Sequence, residues 1–139
     1  MKEWSDIMPK TYIINTNKSN CPTDESDMLH NKKCAAYFSP WKYYIDEIEA
    51  NDIIFLYSSG RGIIARGIAT GIPETKDYRG EIDEEHYMEL DRFQILSTPL
   101  EASEITKIVQ HRLQYNQTVI SLAHKFGIQV WQFITKNCI

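Results

Sequence analysis

The chain has 139 residues, of which 42% are hydrophobic and 24% charged, and it carries a net charge of -4. That size and balance describe one folded domain with its own core, and they exclude a disordered chain. The longest apolar runs, 53–57 and 63–65, fall far short of the about 20 residues needed to span a bilayer, and no apolar stretch follows Lys2 as a secretory signal requires, so a cytoplasmic protein with no membrane segment is expected.

Three cysteines, Cys21, Cys34 and Cys138, sit in no Cys-x-x-Cys pair. Cys21, His30 and Cys34 lack a fourth member and a metal-ligand spacing, so neither a disulfide framework nor a bound metal is expected. The charge is uneven. Residues 74–92 hold eight acids and three bases, so the rest of the chain is close to neutral and leaves room for a small basic face.

In chain order, residues 10–17 are rich in β-branched and aromatic side chains and predict a first strand closed by a polar cluster. A short helix is expected near 25–31. Ser39-Pro40 reads as a helix start, with Ser as the cap and Pro at the first position. Trp41, Tyr44, Ile45 and Ile48 then recur at helical spacing up to Ala50-Asn51. Residues 53–57, the turn Ser58-Ser59-Gly60-Arg61-Gly62 and residues 63–70 predict strand, turn, strand, apolar on both sides as in a sheet centre or a closed barrel. Gly71-Ile72-Pro73 is expected to break the second strand, and the acidic stretch 74–85 to form an exposed loop. A long strand over 86–96 shifts its apolar phase, which predicts a bulge at Asp91-Arg92. A short helix on Ile105, Ile108 and Val109, a strand over 117–122 and a helix over 124–136 with Phe126, Val130, Phe133 and Ile134 on one stripe complete the chain. The sum is an α+β fold, a strongly curved mixed sheet covered by helices.

Gly60-Arg61-Gly62 superficially suggests a phosphate-binding glycine loop, but such a loop needs a helix N-terminus, and here a strand follows. Glycines that let a hairpin adopt positive φ explain it better. The four histidines lie scattered, with no nucleophile elbow, so no catalytic residue is assigned. Phe55, Phe93 and Phe133 are core by spacing; Trp41 suits core or a pocket wall. Tyr37, Tyr57 and Tyr78 stand at element ends beside small polar groups and an Arg. Such a set can stack a planar base, read its edge by hydrogen bonds and hold its phosphate.

The run Ala35-Ala36-Tyr37-Phe38-Ser39-Pro40-Trp41-Lys42, then Asn51-Asp52-Ile53-Ile54-Phe55-Leu56-Tyr57-Ser58-Ser59-Gly60, then Gly62-Ile63-Ile64-Ala65-Arg66-Gly67 resembles the EVE domain, a member of the PUA-like superfamily with the YTH and ASCH domains. Asn51-Asp52 stands where that family has Gly-Asp, and Asn also accepts positive φ. The resemblance implies a PUA-like pseudo-barrel over 10–139 behind an N-terminal extension, 1–9, with a pocket for one, often modified, nucleobase. By position it implies Asn15, Thr16 and Asn17 as polar readers, with Ser58 and Ser59 beside them. The place of the first YTH cage Trp falls near Cys34 and Ala35, which are not aromatic, so Tyr37, Trp41, Tyr57 or Tyr78 would supply the walls. Lys42, Arg61 and Arg66 are the candidate phosphate contacts. The implied partner is single-stranded or flipped-base DNA or RNA, with no cofactor. Two alternatives stand beside this reading. One is an ASCH-like amidohydrolase acting on acetylated cytidine through Lys18, Thr16 and an acid, although its Lys-x-x-Thr spacing is missing. The other is a protein-interaction module whose acidic segment 74–91 takes a basic partner protein.

Overall fold

The computed structural model describes residues 8–139, so most of the expected N-terminal extension, 1–7, lies outside the described residues. The elements run β1 (Thr11–Asn15), α1 (Pro22–Asn31), β2 (Lys33–Tyr37), α2 (Trp41–Ile45), β3 (Ile53–Ser58), β4 (Gly62–Tyr78), β5 (Glu81–Leu100), α3 (Ala102–Val109), β6 (Val119–Leu122) and α4 (His124–Asn137). The six strands form one mixed sheet in the order β2-β5-β4-β3-β1-β6, with β1 parallel to β3 and every other pair antiparallel. β1 and β2 lie far apart in that order, yet they come back within 8 Å of each other. The sheet is therefore curled into the PUA-like pseudo-barrel, α+β in class.

Curling follows from the two long strands. Their pairing slips at several points, and each slip inserts unpaired residues that bend the ladder. One slip lies where Arg66 pairs with Gln94 but Ile68 with Asp91, and Arg92 there has φ of 51°, so the bulge expected at Asp91-Arg92 is present. A second surrounds Gly71, whose φ is 81°. It bends the strand instead of ending it, which corrects the break expected at 71–73.

The acidic stretch 74–85 is likewise not a loop. It continues β4 through Tyr78, turns at Arg79-Gly80 and returns as the start of β5. Both turn residues have positive φ, 50° and 82°, the geometry that matches strand twist in a two-residue hairpin. β2 is a strand the sequence did not announce, because Lys33-Cys34-Ala35-Ala36 has low strand propensity; it forms through pairing with β5 and full burial. α2 is also shorter than expected and starts at Trp41 after Pro40, not on a Ser39 cap; tight turns carry the chain on to Asn51.

Alternation along β1 and β3 feeds two cores. Ile14, Ile54 and Leu56 point into the barrel with Met28 of α1 and Met88 of β5. Ile13, Phe55 and Ile63 point outward, under Ile105 and Val109 of α3 and Val130 and Ile134 of α4. That is why both strands are apolar on both sides. Gly127 sits where α4 crosses β1: a Cβ there would meet Thr11 Oγ1 at 1.8 Å. The Asn51-Asp52 pair is a joint. Asn51 has φ of 76°, and the buried Asp52 carboxylate accepts the N–H groups of Lys10 at 2.8 Å and Glu49 at 2.9 Å. Gly60 and Gly62, at φ of 83° and 111°, turn β3 into β4 as a hairpin requires.

Candidate nucleic-acid interface

Parallel pairing of β1 with β3 sets Asn15 beside Tyr57 and brings the ends of both strands to one mouth of the barrel. β6 starts at the same mouth, because it runs antiparallel to β1. The segments leaving these strands therefore converge there, together with the end of β2 and the first residue of α2. Between them lies a cavity of about 380 Å³, lined by eleven residues. That is the lower range of small-molecule sites, which run to about 1,000 Å³. Not one of its lining residues is charged: they are four aromatics and seven Asn, Ser or Thr.

Two of the rings are backed by a second ring. Tyr115 lies parallel to Tyr57, with centroids 4.2 Å apart and planes at 10°. Tyr37 stacks on Tyr78 at 4.3 Å and 28°. Trp41 stands beside Tyr44 at 5.5 Å, and Phe38, half exposed, meets the edge of Tyr78 at 5.8 Å. The hydroxyls of Tyr37 and Tyr115 are buried without a protein partner among the described residues. Burial pushes the Tyr115 phenol up to about 12. Tyr37 is raised further, by burial first and then by the charge of Asp24, so both rings are neutral donors at physiological pH.

The polar side is pinned by the chain itself. Asn15 donates to the Tyr115 carbonyl at 3.2 Å and accepts the Asn17 N–H at 2.8 Å, which fixes the loop that presents Tyr115. Asn17, at φ of 61°, donates to Asp24 at 2.8 Å and accepts from Asn20 at 2.8 Å. An Asn side chain has two donor hydrogens and two acceptor lone pairs, so each retains capacity for a ligand. Asp24 also accepts the Tyr78 hydroxyl at 2.7 Å, joining the polar floor to the ring stack.

Of the residues singled out from sequence, Asn15, Asn17, Tyr37, Trp41 and Ser59 line the cavity together. Tyr57 and Tyr78 lie one layer back, as the rings behind Tyr115 and Tyr37. Thr16 is fully buried and donates to Glu25 at 2.8 Å, and Ser58 is fully buried beside it; neither lines the cavity. Arg61 sits exposed in the turn after Ser59, 3.7 Å from Glu25. Lys42 is held away by an ion pair to Glu84 at 3.1 Å, whose hydrogen bond raises its pKa, and it also donates to the Asp83 carbonyl at 3.4 Å.

Arg66 corrects the sequence expectation. The residue is 6% exposed, and its guanidinium donates to Gln94 at 2.8 Å, the Trp131 carbonyl at 2.9 Å and Thr135 at 2.7 Å. It also lies 4.3 Å from the Trp131 ring centre. Those bonds tie β4 to α4 on the outer face of the sheet, so it is a packing residue and not a phosphate contact. The sequence reading missed Ser19, Asn20, Phe38, Tyr115, Asn116 and Thr118 in the lining. Only Phe38 carried a signal, as an aromatic next to Tyr37. It also missed Arg79, exposed beside the Tyr78 ring at 5.3 Å and in no ion pair among the described residues.

The fold is that of YTH domains. No family model matches the chain, and no curated protein is similar to it in sequence. Among solved structures it is similar to a hypothetical protein from Leishmania major, with a TM-score of 0.63 and 8% identity over 93% of this chain and 96% of that one. The apo YTH domain of Toxoplasma CPSF4 gives 0.61 at 10% identity, over 92% of this chain and 87% of that one. The Mmi1 YTH domain, solved in complex with RNA, gives 0.61 at 5% identity, over 91% and 81%.

Proposed function

We propose that this chain is an EVE-like, non-catalytic module that recognises one base, in modified form, in single-stranded or flipped-out DNA or RNA. The observation that carries the reading is the cavity at the barrel mouth, walled by two backed tyrosines and Trp41 and free of charged lining residues. A planar heterocycle is the ligand such walls suit, because stacking is worth about 1–3 kcal/mol per base and depends on a rigid ring to stack against. Asn15, Asn17, Asn116 and Ser59 supply donors and acceptors for its edge. Arg61, held by no more than a 3.7 Å contact to Glu25, and Arg79, unpaired among the described residues, are the candidate phosphate contacts, and a partner protein would act on the result. The solved complex of the Mmi1 YTH domain with RNA supports nucleic acid as the partner class. The amidohydrolase reading has less support, because Thr16 is fully buried and does not line the cavity.

Titration with short single-stranded oligonucleotides tests the proposal. Each carries one unmodified, 5-methylated, 5-hydroxymethylated or N6-methylated base, and binding is followed by tryptophan fluorescence, to which Trp41 in the cavity wall contributes. Binding that favours one modification and survives moderate salt is the expected result. Weak binding that salt abolishes equally for every strand, or none, would overturn it.

A further inference from the structure

The charges around the cavity are arranged unequally. The carboxylates of Asp24, Glu25 and Glu85 are buried behind its wall, whereas of the cations near them only Lys33 is buried, and Arg61 and Arg79 are at the surface. Asp24 is 5% exposed and has no cation within 4 Å among the described residues; its partners are Asn17 and the hydroxyl of Tyr78. Donating that hydroxyl to a carboxylate enriches the Tyr78 ring, which is stacked on Tyr37. Glu25 is 8% exposed, accepts the Thr16 hydroxyl, and has the solvent-exposed Arg61, at 3.7 Å, as its one cation within 4 Å among the described residues. Glu85 and Asp27 share one ammonium between them, that of Lys33, at 2.6 and 2.9 Å. Buried charges are screened far less than exposed ones, so the carboxylates prevail over Arg61 and Arg79 at the Tyr37 wall. The phenol of Tyr37 responds in that sense, raised by burial and then by Asp24, Glu85 and Asp27 in turn.

Aromatic faces are themselves electronegative, and a cation placed against them is bound more strongly than a neutral ring of the same shape. We propose that the cavity prefers a positively charged planar base, one alkylated at a ring nitrogen so that it is cationic at neutral pH, over neutral isomers of that base. The inference rests on the base-binding reading and names its ligand class. N1-methyladenine and N3-methylcytosine are bases of this kind. A neutral cavity of the same shape would favour neither of them.

Isomeric pairs isolate charge from size. Pentanucleotides identical except at the central base carry 1-methyladenosine or N6-methyladenosine, and in a second pair 3-methylcytidine or 5-methylcytidine, and are titrated at neutral pH by calorimetry. The expected result is that each cationic isomer binds about tenfold tighter than its neutral partner, as a desolvated cation–π contact supplies. Asp24→Asn keeps the side chain's shape and should bring that ratio toward unity. Arg61→Gln, at an exposed turn position that does not endanger folding, should widen it. Equal affinity within both pairs, or preference for the neutral isomers, would overturn the inference and leave the base pocket standing. Absence of binding to every strand, modified or not, would overturn the base-binding reading itself, and this inference with it.

Discussion

Tyr57 and Tyr115 divide one task between them. Tyr115 faces the cavity, and Tyr57, 7% exposed, holds it parallel from behind. A stacking ring selects a ligand only if it is already in place, because ordering a free side chain on binding costs about 0.5–1.5 kcal/mol. Tyr115→Ala should therefore weaken oligonucleotide binding by about tenfold or more, the loss of one stacking partner, without unfolding the domain. Tyr57→Phe keeps the supporting ring and should leave affinity unchanged. Tyr57→Ala opens a hole in the outer core and should lower stability by about 3–5 kcal/mol, as aromatic-to-alanine changes do, with affinity falling as well. Fluorescence titration and thermal melts of the three variants check this, and equal affinity for Tyr115→Ala and the native protein would contradict the assignment. The sequence already marked Tyr57 by its place at a strand end. It could not show that the ring lies one layer back, because Tyr115 reaches it across nearly sixty residues from a polar stretch with no periodicity.

At the scale of elements, Lys33 joins three of them. It begins β2, pairs with Asp27 of α1 at 2.9 Å and with Glu85 of β5 at 2.6 Å, and lies 4.4 Å from the Tyr87 ring centre. Burial alone would depress its pKa, but the hydrogen bonds to Glu85 and Asp27 outweigh it and raise it. For Asp27, burial opposes ionisation and the bond to Lys33 prevails, so its pKa is lowered. The raised lysine contributes stability that is whole below the ordinary lysine range and lost as pH climbs through its folded value. The lowered aspartate contributes stability that is whole above the ordinary aspartate range and lost as pH falls through its folded value. Lys33→Met leaves Glu85 buried without a cation and should cost about 3–5 kcal/mol at neutral pH. The gap from the native protein should narrow as pH falls below the ordinary aspartate range, where Asp27 protonates in the native protein. Urea denaturation across pH measures both. Gly127 makes a second test between elements. In an exposed helix, Gly→Ala would gain about 1 kcal/mol. Here the new Cβ strikes Thr11 Oγ1, so Gly127→Ala should destabilise, and Thr11→Ala in the same chain should recover part of the loss. Most elements were legible because periodicity carries them: the apolar pairs of β3 and β4, the stripe of α4, even the phase shift at Asp91-Arg92. The hairpin over 74–85 was not. Its acids pointed to a loop, and only partners distant in the chain, Lys33 and Lys42, reveal why a charged ribbon stays ordered.

For the molecule as a whole, what decides how it meets a polyanion is where its cations lie relative to the cavity. A net charge of -4 gives no long-range attraction to DNA or RNA. Four cations that composition would credit to binding are engaged in the structure: Lys33 by two carboxylates, Lys42 by Glu84, Arg66 by Gln94 and Thr135, and Lys107 by Glu104. None of this is visible in a count of bases, and Arg66 shows the cost of reading one from its place after a glycine turn. The cavity's walls, by contrast, were half legible, because aromatic and Asn residues at strand ends mark a mouth wherever the sheet closes. A ligand held here is held by its base. With Arg61 and Arg79 as the phosphate contacts, the logarithm of the binding constant should fall with the logarithm of salt concentration at a slope of about -1.4, the value for two phosphates on a single strand. Arg61→Gln and Arg79→Gln should each make that slope shallower by about 0.7 and leave the ratio between neutral modified and unmodified strands nearly unchanged, since phosphate contacts carry no base information. A native slope steeper than about -3 would mean that the backbone is gripped by another face of the protein.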